Sequence, residues 1–151
     1  MQNGDINNNQ LSASSSLAPN ARLHGPTAWC PDPTDTDPVV VITLEGSQYV
    51  SGVTLQGKSN SGNWVSRYRV SFSRNMDHAF IGITDGAGNI RVFDGNSDED
   101  TTVTRMFDAP VQARWIQIEP VAWHGDICLR FELLGCYMME GKEEPGNPSE
   151  F

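Results

Sequence analysis

A succession of short segments in this chain alternates polar and apolar residues, and that period of two restricts the fold more than any other feature. VVVITL (39–44), YVSGVTLQG (49–57), SRYRVSF (66–72), NIRVF (89–93), TVTRMF (102–107), RWIQIEPV (114–121) and CLRFELLG (128–135) all have this character. Successive side chains of a strand point to opposite faces, so each segment reads as a strand with one buried face. Tyr68, Val70 and Phe72 share one face, and Arg67, Arg69 and Ser71 the other. No stretch keeps a helical period for three turns. Turn-forming runs, LEGSQ, KSNSGN, TDGAGN and DGNSDED, separate the strands. In TDGAGNI (84–90), Gly86 or Gly88 is free to take positive φ in a tight hairpin loop. The expectation is an all-β sandwich or barrel, mostly antiparallel, whose function resides in its loops.

At 151 residues the chain suffices for one domain with a proper core. That domain is expected over residues 1–139, followed by a flexible tail at 140–151, where EGKEEPGNPSEF is too polar to offset the entropy of ordering. The densest apolar run is VVVI, far short of a membrane span, and MQNGDINNNQ has neither the basic nor the apolar region of a secretion signal. Lys and Arg number 10 against 19 Asp and Glu, a net charge of −9 that repels phosphate backbones and excludes non-specific nucleic-acid binding. Nothing requires more than a monomer.

Cys30, Cys128 and Cys136 have no zinc-site spacing. The strand between Cys128 and Cys136 holds them more than roughly 20 Å apart, so Cys30 with Cys128 is the better internal pair. Cys136 is then left over.

The chain contains no nucleophile elbow, P-loop or dinucleotide fingerprint, and no catalytic activity is expected. In DPTDTDP, Asp32, Asp35 and Asp37 offer hard oxygen ligands for calcium, although the spacing lacks the glycine and distal Glu of an EF-hand. Asp94, Asp98, Glu99 and Asp100 form a weaker candidate of the same kind; no cofactor is required. Trp64, beside Asn60 and Asn63 in KSNSGNW, is the indole best placed to stack on a sugar. Trp29, Trp115 and Trp123 read as structural. Arg22 and Arg67 could contact an anionic group if they lie near a loop tip.

Taken together, QLSASSSLAPNARLHGPTAWC (10–30), VSGVTLQGK (50–58), WVSRYRVSFS (64–73), IRVFDGNSD (90–98) and FDAPVQARWIQIEPVAWHGDICLRFELLGC (107–136) resemble the discoidin, or coagulation factor 5/8 type C, domain. The resemblance implies a jelly-roll-like sandwich of about eight main antiparallel strands, with recognition loops at one end. It also implies an extracellular or secreted setting, within a larger surface protein, and a partner that is a glycan, a cell-surface protein or a phospholipid membrane. A Cys30–Cys128 bond is expected, and Cys136 matches a closing cysteine whose usual partner precedes the domain. The loops carried over by position are 15–20, 58–64 and 74–78, which put Lys58, Asn60, Asn63, Trp64, Met76 and His78 forward as ligand-binding residues, with Arg22 and Arg67 as the accompanying arginines. These loops are poor in bulky apolar residues, which favours glycan binding over membrane insertion, since insertion gains only about 25 cal/mol per Å² of apolar surface buried. Val39 and Thr43 depart from the family pattern, standing where it has Trp and Asp.

Overall fold

Two strands are too long to be straight. The computed structural model describes residues 6–75, 79–137 and 149–150. Its strands are β1 (Leu11–Ala13), β2 (Val40–Gln56), β3 (Trp64–Ser73), β4 (Ile81–Gly82), β5 (Phe93–Asp94), β6 (Val103–His124), β7 (Arg130–Tyr137) and β8 (Ser149–Glu150). Short 3₁₀ turns occur at Asn8–Gln10 and Ala18–Ala21. At about 3.3 Å per residue, β6 alone would extend roughly 70 Å, against a radius of gyration of about 15 Å for a domain of this size. Asn96 shows how the length is accommodated. Its backbone N–H donates to the Val65 carbonyl and its side-chain amide to the Leu55 carbonyl. Leu55 pairs with Val103 and Val65 with Trp123, so the two ends of β6 lie side by side at one end of the molecule.

β2 and β6 therefore fold over together, and each contributes to two layers. In the first layer, the start of β2 lies between β1 and the second half of β6, which pairs onward to β3; β4 and β5 flank β3. In the second, the later part of β2 lies between the first half of β6 and β7. The register of β2 slips between Thr43 and Gln48, at the LEGSQ turn, where Gly46 takes φ 73°. The sequence reading of 39–44 and 49–57 as separate strands, and likewise of 102–107 and 114–121, thus recovers the two limbs of each bent strand. All named strand pairs are antiparallel, as expected for the sandwich.

Between the layers lie Val40, Ile42, Val53, Leu55, Tyr68, Val70, Phe93, Ile116, Ile118, Phe131 and Leu133, all at or near zero exposure. The face assigned to Tyr68 and Val70 is the buried one, and Arg67 and Arg69 point to solvent. The 89–93 strand is reduced to β5 plus one bridge between Thr84 and Ile90. There the turn chemistry prevails: Asp85 accepts from the Ala87 and Asn89 amides, Gly88 takes φ 85°, and Ile90 and Val92 remain exposed.

Cys30 and Cys128 form a disulfide, 98 residues apart in sequence. Beside it, Trp29 and Leu129 exchange both backbone hydrogen bonds, at 3.0 and 2.9 Å. The Cys136 backbone pairs with Tyr49, but its side chain lies outside the described residues, as do Met76, His78 and the tail at 138–148.

Candidate functional site

One end of the sandwich gathers four chain segments around Arg130, which is 4% exposed. Its guanidinium donates to the carbonyls of Gly57 (2.6 Å), Gly25 (3.0 Å) and Glu99 (3.1 Å), to Ser59 Oγ (3.2 Å) and to Asp100 Oδ1 (3.0 Å). A planar fork with five donors can tie separate loops in this way; an ammonium could not. Asp100 also accepts from the Ser59 hydroxyl. Glu99 then fixes the tip of the 58–63 loop, accepting from the amides of Asn60 (3.0 Å), Ser61 (3.0 Å) and Gly62 (2.7 Å). Those three bonds hold its carboxyl below the usual Glu range, because they favour the charged form. Asp98 is lowered likewise by the hydroxyl and amide of Thr101.

Between residues 30–38 and 123–128 is an open cleft of about 500 Å³, with Asp32, Asp35, Lys58, Asn63, Trp123 and Asp126 among its lining. The 30–38 wall is tied to the first loop. Asp35 accepts from the hydroxyls of Ser14 and Ser15, and Ser15 Oγ accepts from the Asp32 amide. Asp32 Oδ1 caps its own turn through both Thr34 donors. Hydroxyl donors are the main reason that both carboxyls lie below the ordinary Asp value, with Thr34 acting on Asp32 and Ser14 on Asp35. The opposite wall is held by Asn63, whose Oδ1 accepts the Asp126 amide at 2.9 Å. Gly125 makes this approach feasible: it takes φ 70°, and a Cβ there would run into Asn63 Oδ1 and lie 2.7 Å from the Gly62 carbonyl.

Among the described residues, Lys58 and Asn63 are the proposed ligand-binding residues that line this cleft. Arg22 is occupied in holding the N-terminal segment, donating to the Ile6 carbonyl and Asn8 Oδ1 at 2.8 Å each. Arg67 lies on the outer face of β3 in an ion pair with Asp94 at 3.8 Å, away from any loop tip. Asn60, at φ 57°, is exposed on the 58–63 turn. Trp64 does not stand clear: its ring stacks on His124 at 4.1 Å and 6°, and His124 Nδ1–H donates to the Gly62 carbonyl. Arg74 and Asn75 follow β3 at the opposite end from Trp64, since Trp64 pairs with His124 and Ser73 with Trp115 nine residues further along; Met76 and His78 lie outside the described residues. Asp32 caps the turn at Thr34, Asp35 accepts from the Asp37 amide as well as from Ser14 and Ser15, and among the described residues no group of three His, Cys, Asp or Glu side chains is arranged to hold a metal.

The indole missed by sequence reasoning is Trp123. Expected to be structural, it is 47% exposed at the mouth of the cleft, whereas Trp29 and Trp115 are buried as anticipated. The register of β3 against β6 slips on either side of Arg67, opposite Pro120 and Ala122, so the alternation counted from Trp115 cannot predict which way Trp123 faces. The following HGD turn was the available signal that Trp123 stands at a strand terminus.

The sequence profile of the F5/8 type C domain matches residues 7–133. The chain belongs to that family. A retinoschisin of Takifugu rubripes is 36% identical over 109 residues, which cover 72% of this chain and 39% of that protein. The chain thus spans less than half the length of this relative. Among solved structures, discoidin II of Dictyostelium discoideum superposes with a TM-score of 0.75 at 21% identity, covering 85% of this chain and 55% of that one. A Clostridium perfringens module solved in complex with GalNAc-β-1,3-galactose gives 0.61 at 19% identity, covering 80% of this chain and 88% of the other. At these identities the likeness establishes the discoidin-like fold.

Proposed function

We propose that this F5/8 type C domain is a non-catalytic extracellular recognition module that binds glycans in the cleft between residues 30–38 and 123–128. The observation that carries the reading is the half-exposed Trp123 ring on a polar cleft of about 500 Å³. An indole face packs against the C–H face of a sugar ring, while Lys58, Asn63 and Asp126 offer directional partners for hydroxyls. The bound disaccharide of the similarly folded Clostridium perfringens module supports the ligand class. The Cys30–Cys128 bond suits an oxidising extracellular compartment.

The test is a glycan panel that includes GalNAc-β-1,3-galactose, run with calcium and with chelator because of the acidic 32–37 loop. Saturable binding that falls at least about tenfold in Trp123→Ala, the loss of roughly 1.4 kcal/mol of stacking, is expected. Trp64→Ala should act only indirectly, through His124. Silence across the panel would sink the reading. A protein partner is the second reading, favoured by a groove of about 370 Å³ near Phe72, Ile83, Phe107 and Pro110, with Ile81 61% exposed beside it. Phospholipid binding has less support. Leu17 is the exposed large aliphatic of the first loop, and one such side chain contributes little insertion energy.

A further inference from the structure

We infer that the cleft selects saccharides bearing a free amine over their acetylated or acidic counterparts. The inference deepens the glycan reading and rests on it. Its basis is the set of polar atoms around Trp123 that the fold leaves unused. Asp126 is exposed, and among the described residues its carboxylate accepts no hydrogen bond and forms no ion pair. Asp32 spends Oδ1 on Thr34, and among the described residues its Oδ2 accepts no hydrogen bond. Lys58 likewise has no ion pair among the described residues. Asp32, Asp35 and Asp126 against Lys58 leave the lining with two negative charges in excess.

The charges are not evenly placed. Lys58 pairs its backbone with Asn63, whose Oδ1 holds the Asp126 amide, so Lys58 and Asp126 belong to the same wall. The facing 30–38 wall carries Asp32 and Asp35 with no cation of its own. A sugar ring resting on Trp123 with an ammonium directed toward Asp32 Oδ2 meets a carboxylate on one side and an indole face on the other, both of which favour a cation. A carboxylated or phosphorylated ligand meets the same excess with the wrong sign, and a concave site concentrates that field.

Three ligands decide the matter in calorimetric titrations: a β-1,4-linked glucosamine tetramer, held below its amine pKa; its N-acetylated counterpart; and GalNAc-β-1,3-galactose. The amine tetramer should bind about fivefold tighter than the acetylated one, the scale of a few partly screened ion contacts. Raising ionic strength to about 0.5 M should erase most of that margin. Asp126→Asn should reduce the preference about twofold and Lys58→Met should increase it, both variants keeping the parent's melting temperature. Equal affinity for the two tetramers overturns the amine selectivity and leaves the glycan reading standing. Amine binding that survives Trp123→Ala, or that spermine matches, reflects general attraction to an acidic surface and also overturns it. If none of the three saccharides binds, the glycan reading itself falls.

Discussion

The two ends of the sandwich are tied in opposite ways. At the cleft end, side chains reach across the chain: Arg130 to Gly25 spans 105 positions, Arg130 to Gly57 spans 73, and Asn63 to Asp126 spans 63. At the end where β2 and β6 turn over, several side-chain bonds are local, such as Gln48 to Glu45 and Ser73 to Asn75; Arg74 to Gln112 is a longer, exposed tie. Strands that bend at a turn carry their backbone pairing with them and need few extra ties. Loops that must present fixed groups to a partner have no ladder to hold them, so buried and charge-assisted bonds take its place.

Substitutions that treat the two ends alike should therefore give unequal results. Arg130→Met removes the guanidinium partner of Asp100 and the donor to three loop carbonyls, and should cost about 3–5 kcal/mol in chemical denaturation. Arg74→Met, at the other end, should stay within about 0.5 kcal/mol. Equal losses would remove the asymmetry. The next test uses two glycines that share a left-handed backbone. Gly46→Ala has nothing within 4 Å of the new methyl and should cost about 1 kcal/mol from backbone strain alone. Gly125→Ala meets Asn63 and the Gly62 carbonyl as well, and should cost about 2–3 kcal/mol while weakening ligand binding.

Acid should act on the cleft end first. Glu99, Asp98, Asp100, Asp32 and Asp35 all have folded values below the ordinary 4.5 for Glu and 3.8 for Asp. Their stabilisation is complete above those unfolded values and is lost as pH falls through the lower folded ones. Denaturation midpoints should hold steady near neutrality and drop below pH 4.5, less steeply in Glu99→Gln. Identical slopes in the two proteins would show that the amide bonds to Glu99 contribute nothing.

The smallest effect belongs to the core between the ends. Tyr68 is buried against Phe93, its hydroxyl has no hydrogen-bond partner among the described residues, and burial pushes its pKa well up. Tyr68→Phe should be neutral or gain up to about 1 kcal/mol, measured as a shift in melting temperature. A clear loss would reveal a role for that hydroxyl.

The sandwich was legible because period-two alternation survives wherever one strand face is buried; Tyr68 and Val70 against Arg67 and Arg69 illustrate it. The disulfide followed from the family pattern and from strand length. The site was read less well, for a specific reason. Residue type marks Trp64 and Trp123 equally, but their exposure depends on the bulge opposite Pro120 and on a stacking partner, His124, sixty positions away from Trp64 in sequence. Arg130 escaped notice in the same way: within CLRFELLG it reads as a solvent-side strand residue, and only the loops folded over it make it a clamp. In the acidic runs the sequence does not separate two uses of a carboxylate, because one that caps a turn, as Asp32 and Asp98 do, has the same signature as one that binds calcium.

The bridge between Trp29 and Leu129 also constrains how the chain is made. Leu129 lies near the far end of the domain, so Cys30 emerges during synthesis about a hundred residues before its partner. Both layers must largely form before the two sulfurs meet, and pairings this distant in sequence are reached slowly. Until then the thiols of Cys30, Cys128 and Cys136 coexist in a partly folded chain, and oxidation can join the wrong two. Correct closure therefore depends on a compartment that both oxidises and reshuffles disulfides, and yield from a host lacking that machinery should be limited by mispaired thiols.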